Sequence, residues 1–283
     1  MTFPSEKIPE KILAGANFEL RPLGDRAILL RLTLPHGKTS PAQLGPAERY
    51  DRMLAARLVA VFLQDRVPAE AGWPQEFVPG YDNVLAPFDP AFISRQTFCE
   101  WLLGQLAEVI AGWELGGLRD VANPRRHRLP VIYGGQRGPD LEKVAARNGL
   151  SPEEVIKIHS EAEYSVYLVG FAPGFAYLGA LPPSIDAPRL ERPRPAVPGG
   201  TVAIAAGLTG VYPLASQPGG WNLLGYTPFV LFDPAQDPPV RFLPGDRVTF
   251  YPITETDLPR FQAEKFSLAP LGEQPEGQVE VRS

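Results

Sequence analysis

The chain has 283 residues, with 27 Lys and Arg against 32 Asp and Glu, a formal net charge of −5 and no run of five like charges. A nucleic-acid footprint is therefore excluded at this level. The single cysteine, Cys99, excludes an intramolecular disulfide and a cysteine-based metal cluster and suits a reducing compartment.

Length is enough for two domains at about 100–200 residues each. With 33 Pro, 27 Gly and 44% apolar residues, the composition is that of a loop-rich globular protein rather than a disordered one. The apolar runs fall far below the roughly 18 residues of a membrane span. The start Met1-Thr-Phe-Pro-Ser-Glu-Lys7 lacks the charged-then-apolar order of a signal peptide, so a cytoplasmic location is expected.

In chain order, two short strands are expected at 18–21 and 27–34, then a loop over 35–45. Tyr50, Met53, Leu54, Leu58, Val61 and Phe62 fall at the i, i+3, i+4, i+7 spacing of a one-sided helix over 46–65. A bent strand or hairpin around Gly80 is expected over 76–88. Ser94 is placed to cap a second helix carrying Phe98, Trp101, Leu102, Leu106, Val109 and Ile110. The pattern predicts a small α/β sandwich with both helices on one face over residues 1–123.

The composition shifts at Asn123-Pro-Arg-Arg-His127, and a second, mostly β domain is expected over 124–253, with 254–283 an extension whose end is flexible. A strand at 129–133 precedes a helix at 139–148 stopped by Gly149, with Leu141, Val144 and Ala145 facing inward. Ser151-Pro-Glu-Glu154 is a capping box with proline at the first helical position, starting a helix that ends near His159. Strands are then expected at 164–171, 201–206, 228–232 and 247–251, the spacing of a barrel or folded sheet.

The stretch 159–225 interleaves Pro and Gly with aromatic and basic residues: Gly170-Phe-Ala-Pro-Gly-Phe-Ala-Tyr-Leu178, Arg189 to Arg194, Val197-Pro-Gly-Gly200 and Gly219-Gly-Trp221. Rigid loops of this kind make a preorganised pocket wall. These motifs, with Pro139-Asp-Leu141, Thr209-Gly-Val-Tyr-Pro213 and Gly225, resemble one family: the B subunits of the bacterial ATP-dependent 5-oxoprolinases. That family is also labelled allophanate hydrolase subunit 1 or the sporulation-kinase-inhibitor family. The weaker matches Gly24-Asp25 and Val78-Pro-Gly-Tyr81 extend the likeness toward the N-terminus.

The resemblance implies an α+β architecture in which an N-terminal α/β domain accompanies a C-terminal cyclophilin-like β-barrel of the carboxyltransferase-domain type. It implies a hydrolase subunit that works with two others, a homologous C subunit plus an A subunit. In that complex ATP, with Mg as its counter-ion, activates 5-oxoproline for hydrolysis to L-glutamate. Two alternatives stay open: a binding protein that inhibits a sensor histidine kinase, and a carboxyltransferase-type protein that acts on urea or another amide. No P-loop, nucleophile elbow or His-Glu-x-x-His helix is present, and no lysine sits in a biotin-attachment context, so no metal or biotin is expected on this chain.

His159, at a helix C-terminus where the dipole favours a cation, is the candidate acid or anion contact. Arg194 is the candidate phosphate or carboxylate clamp, and Arg189 and Arg192 read either as further clamps or as partners of Glu161, Glu163, Asp186 and Glu191. Phe175, Tyr177, Pro198 and Trp221 are candidate substrate or nucleotide contacts, with Gly219 and Gly220 as backbone donors to an anion. Phe171 reads as core, and His127 and His36 read as loop residues without a role.

Overall fold

The computed structural model describes residues 16–33, 46–110, 124–213 and 217–262. The chain divides into two compact units between Pro124 and Arg125.

In the first unit β1 (Asn17–Leu23) and β2 (Ala27–Thr33) form an antiparallel hairpin, followed by α1 (Pro46–Gln64), β3 (Val78–Pro79), β4 (Asn83–Pro87) and α2 (Arg95–Ile110). The sheet order is β1-β2-β4-β3. Alternate residues of the central strands, Ile28, Leu30 and Leu32 with Val84 and Ala86, are buried on one face. Leu54, Leu58 and Phe62 of α1 and Phe98, Leu102, Leu106 and Val109 of α2 join that same core, so the expected sandwich is present. Two starts follow their predicted chemistry. The Ser94 hydroxyl accepts the Thr97 N–H at 3.1 Å, and Gly80 turns the β3–β4 hairpin through its N–H to Asn83 O at 2.7 Å. Arg52 of α1 and Asp82, both buried, are paired at 3.5 Å, which is the condition for keeping such charges inside.

The second unit runs β5 (Arg126–Tyr133), α3 (Leu141–Asn148), α4 (Pro152–Glu161), β6 (Glu163–Val169) and β7 (Ala176–Gly179), then β8 (Arg194–Val197), β9 (Thr201–Ala205) and β10 (Leu208–Val211). It ends with β11 (Gln217–Gly219), β12 (Asn222–Tyr226), β13 (Arg247–Pro252) and α5 (Leu258–Gln262). Seven strands close a barrel in the order β10-β7-β6-β13-β5-β12-β9, and β8 and β11 pair beside it. Only β5 and β13 run parallel; the other barrel pairs are antiparallel.

The helix start at Ser151 and the stop at Gly149 match their sequence signals. Ser151 and Glu154 exchange both capping-box bonds, and Gly149 takes φ 68° as the left-handed cap of α3. Strands β7, β8, β10, β11 and β12 go beyond the sequence expectation, and 228–232 is not a strand: it holds one isolated bridge, Phe232 to Val240. Its carbonyls at Val230 and Leu231 accept from Arg241 instead, at 3.3 and 3.0 Å.

Most of the unexpected strands share a cause. Glycine reads as a strand breaker in sequence, but here close approach requires it. A Cβ on Gly179 would stand 1.8 Å from the Tyr167 ring, on Gly225 2.5 Å from Ile132 O, and on Gly210 2.9 Å from Ala176 O. β9 is buried on both faces, with Val202 and Ile204 in the barrel core and Ala203 and Ala205 in a second apolar cluster outside it. That second cluster, with Phe175, Val197, Tyr212, Trp221 and Leu223, supports the loops that carry the candidate residues.

Beyond β13 a capped turn at Glu255–Asp257 leads into α5, whose Phe261 packs on the barrel cluster. The stretch 272–283, expected to be flexible, lies outside the described residues, as does His36. Among the described residues no helix is long and apolar enough to cross a membrane.

Candidate functional site

His159 sits on α4 with no exposed surface. Thr209 Oγ1 donates to Ala203 O at 3.1 Å, so its contact with His159 Nε2 at 2.9 Å must be accepted from the ring. Nδ1 is then the acceptor for the Tyr133 hydroxyl at 2.7 Å. Phe250 stacks on the ring at 4.7 Å between centroids, and the Tyr164 hydroxyl donates to His159 O at 2.9 Å. Burial pushes the imidazole down to about 3 and raises the Tyr133 phenol. The expectation of a dipole-favoured cation is corrected: desolvation outweighs the helix end, and a neutral, fully partnered imidazole is what the barrel holds. His127 also differs from its sequence reading. It is buried, with Nε2 2.9 Å from Asp246 Oδ2. Burial would raise that carboxyl, but bonds from His127, Arg125 and the Leu243 N–H hold it below the usual range.

The aromatic loop is also corrected in part. Phe171, expected in the core, is 61% exposed at φ 73°, because the turn closed by Phe175 N–H to Ala172 O and Gly170 N–H to Phe175 O projects it outward. Phe175 and Trp221 are buried instead, packed edge to face at 5.7 Å, so their rings are core and not exposed walls. Gly219 is needed because a Cβ there would lie 2.3 Å from Tyr212 Oη, and Gly220 uses its carbonyl to accept the Leu190 N–H at 2.7 Å. Gly219 is thus a packing element, whereas a Cβ on Gly220 would meet nothing closer than 3.7 Å. Tyr177 remains half-buried, 5.9 Å from Trp221.

Two cavities open beside these loops. The larger, about 700 Å³, is lined by Tyr133, Gly134, Gly135, Arg137, Arg194, Pro198, Tyr226 and Glu255 among others. It brings Arg194 and Pro198 together with Tyr133, whose hydroxyl is held on His159. Its cations are already balanced. Arg194 Nη2 meets both Asp140 oxygens at 2.8 and 2.9 Å and Nη1 donates to Trp221 O at 3.3 Å; Arg137 pairs with Glu255 at 3.1 Å and lies over the Tyr226 ring at 4.3 Å. Arg194, expected as the phosphate or carboxylate clamp, lines this cavity with its Nη2 held on a buried carboxylate of the chain itself. Asp140, which also accepts the Leu223 N–H at 2.7 Å, is the positioning residue that sequence reasoning misses. An acid directly before a helix reads as an ordinary cap, and its partner lies 54 residues away.

The smaller cavity, about 420 Å³, is lined by Lys143 and Arg147 of α3, the segment Ala187–Arg192 and Asn222. The balancing reading of Arg189 and Arg192 fails for two of its four acids. Glu163 pairs with Arg126, and Asp186 Oδ1 accepts the N–H groups of Ala187 and Gly207, each at 2.8 Å.

A family model described as the carboxyltransferase domain, subdomain C and D, matches residues 18–242. The chain belongs to the carboxyltransferase-domain family. Among curated members, the 5-oxoprolinase B subunit of Bacillus subtilis (strain 168) is 49% identical over 160 residues, 56% of this chain and 63% of that protein. The 5-oxoprolinase B subunit of Escherichia coli O157:H7 is 54% identical over 127 residues, 45% of this chain and 58% of that protein. The matched parts thus span less than two thirds of these relatives. Of solved structures, the urea amidolyase of K. lactis superposes with a TM-score of 0.68 at 19% identity, covering 93% of this chain and 16% of that one, which speaks for the carboxyltransferase-domain fold alone. Among the described residues no group of three or more His, Cys, Asp or Glu side chains is gathered as a metal site.

Proposed function

We propose that this carboxyltransferase-domain chain is the B subunit of an ATP-dependent 5-oxoprolinase. With an A subunit plus a homologous C subunit it converts 5-oxoproline to L-glutamate. The observation that carries the reading is identity near one half to curated B subunits from two bacteria. A lactam resists hydrolysis until its oxygen is activated, and a phosphoryl group from ATP supplies that activation, with Mg held by the phosphates.

The 700 Å³ cavity suits the small polar ring. The exposed Arg137–Glu255 pair is weak and exchanges readily, so the substrate carboxylate takes the place of Glu255 on Arg137. Asp140 and Arg194 keep the wall of the cavity rigid, and neutral His159 orients the Tyr133 ring, acting as a positioning residue.

The test is glutamate release from 5-oxoproline and ATP by the three-part mixture, with each component omitted in turn. Turnover is expected only in the complete mixture, and Arg137→Ala is expected to raise KM for 5-oxoproline about tenfold or more. Turnover that persists without this chain would sink the proposal. A formed complex that is inactive, but transfers a carboxyl group from a biotinylated carrier, would replace it with the carboxyltransferase reading. Saturable inhibition of a sensor kinase by the chain alone would replace it with the inhibitor reading.

A further inference from the structure

The cavity between α3 and the segment Ala187–Arg192 concentrates positive charge that the protein itself does not neutralise. Lys143 and Arg147 stand one helical turn apart on the exposed side of α3, and Arg189 and Arg192 face them from the opposite wall. Among the described residues none of the four is in an ion pair, and Glu191 is the one acid in the lining. Several cations elsewhere in this unit are paired, as at Arg125 with Asp246, Arg137 with Glu255 and Arg194 with Asp140.

The wall that carries the two arginines is also pinned. Ala187 O accepts the Ala206 N–H at 2.8 Å, Pro188 O accepts the side-chain amide of buried Asn222 at 2.9 Å, and the Leu190 N–H donates to Gly220 O at 2.7 Å. Asn148 adds a bond to Asp186 O at 3.3 Å, which ties the segment to the end of α3. Arg189 lies 6.0 Å from the centre of the Trp221 ring, and its charge works against the burial that raises the Tyr177 and Tyr212 phenols.

Like charges held on fixed backbone repel one another, and an anion that neutralises several at once binds with little loss of backbone entropy. Four cations against one acid suit a ligand of about three negative charges, and guanidinium forks match phosphoryl oxygens.

We propose that this cavity is an oligophosphate site, built to take a di- or triphosphate chain between Lys143, Arg147, Arg189 and Arg192. Its geometry stands apart from the oxoprolinase reading, but it deepens that reading by saying where the phosphates of ATP are held in this subunit. The ligand chemistry has two sources, a nucleotide or a free polyphosphate, and the assay separates them.

Titration calorimetry of the full chain with tripolyphosphate, ATP, orthophosphate and citrate, at low ionic strength, reads the site directly. Tripolyphosphate is expected to bind at least tenfold more tightly than orthophosphate or citrate. Arg147→Ala/Arg192→Ala is expected to weaken it about tenfold or more and to flatten its salt dependence. The charge-matched control Arg128→Ala/Lys157→Ala is expected to change it less than twofold. All four substituted residues are exposed, so folding is not at stake.

No tripolyphosphate binding, citrate binding equally well, or equal losses in both double variants would overturn the proposal. ATP binding like tripolyphosphate identifies the phosphate chain as the recognised part, whereas ATP binding far more tightly adds the nucleoside as a second determinant of the same site. Binding without turnover in the reconstituted mixture would count against the oxoprolinase reading alone. Turnover without binding here would count against this site alone.

Discussion

The interior around His159 and the rim around Arg189 and Arg192 belong to one unit and treat polar groups in opposite ways. Inside, each ring nitrogen of His159 has a partner, its charge is suppressed and the neighbouring phenols are held neutral. On the rim, four cations share one pinned cavity and are left without carboxylate partners among the described residues. A group that is satisfied internally serves the fold, whereas fixed charge left unsatisfied is available to a ligand. The residue type most often linked to catalysis here does structural work, and the more ordinary surface arginines hold the open chemistry.

The contrast can be broken most forcefully at its buried end. His159→Ala is expected to cost about 3–4 kcal/mol in urea unfolding, because it leaves a cavity and strands the Tyr133 and Thr209 hydroxyls. The pH dependence has a definite sign. The folded imidazole titrates near 3 against an ordinary value of 6.5, so the unfolded state binds the extra proton between those values. This contribution is complete above about pH 6.5 and is lost as pH falls toward 3. A stability profile over that window should therefore fall with acid in the wild-type chain, and the fall should be shallower in His159→Gln. An unchanged slope would mean that His159 is not held neutral.

A smaller effect is expected where a charge is paired but half exposed. Asp140→Ala removes the partner of Arg194 and the acceptor of the Leu223 N–H. About 2–3 kcal/mol should be lost by denaturant titration, less than for a fully buried pair because Arg194 retains access to water. A loss below about 0.5 kcal/mol would show the pair to be incidental. The smallest effect belongs to the rim, where Arg147→Ala/Arg192→Ala should shift stability by no more than about 0.5 kcal/mol either way. A clear gain would sharpen the comparison further, since it would measure the mutual repulsion that a bound anion relieves.

Local signals are legible wherever neighbours in sequence supply the physics. The capping box at Ser151, the Gly149 stop, the Ser94 cap and the apolar stripes of α1 and α2 can all be read from adjacent residues. The amphipathic face of α3 is legible for the same reason, with Leu141, Val144 and Ala145 buried. The glycine strands of the barrel are not. Whether Gly179 breaks a strand or lets the Tyr167 ring in depends on a residue across the sheet. The candidate site divides along the same line: its motif-bearing loops are visible in the sequence, but the partners of Arg194 and His159 and the pairing of α3 with the 187–192 wall are not.

The sequence by itself determined the two-part α+β organisation, the helix boundaries, the loop-rich second unit and the family resemblance, because these rest on local propensity, periodicity and spaced motifs. Only the tertiary structure decided which charges are neutralised and which are left free. Charge state and accessibility depend on burial and on partners tens of residues away, and those distances exist only once the barrel has closed.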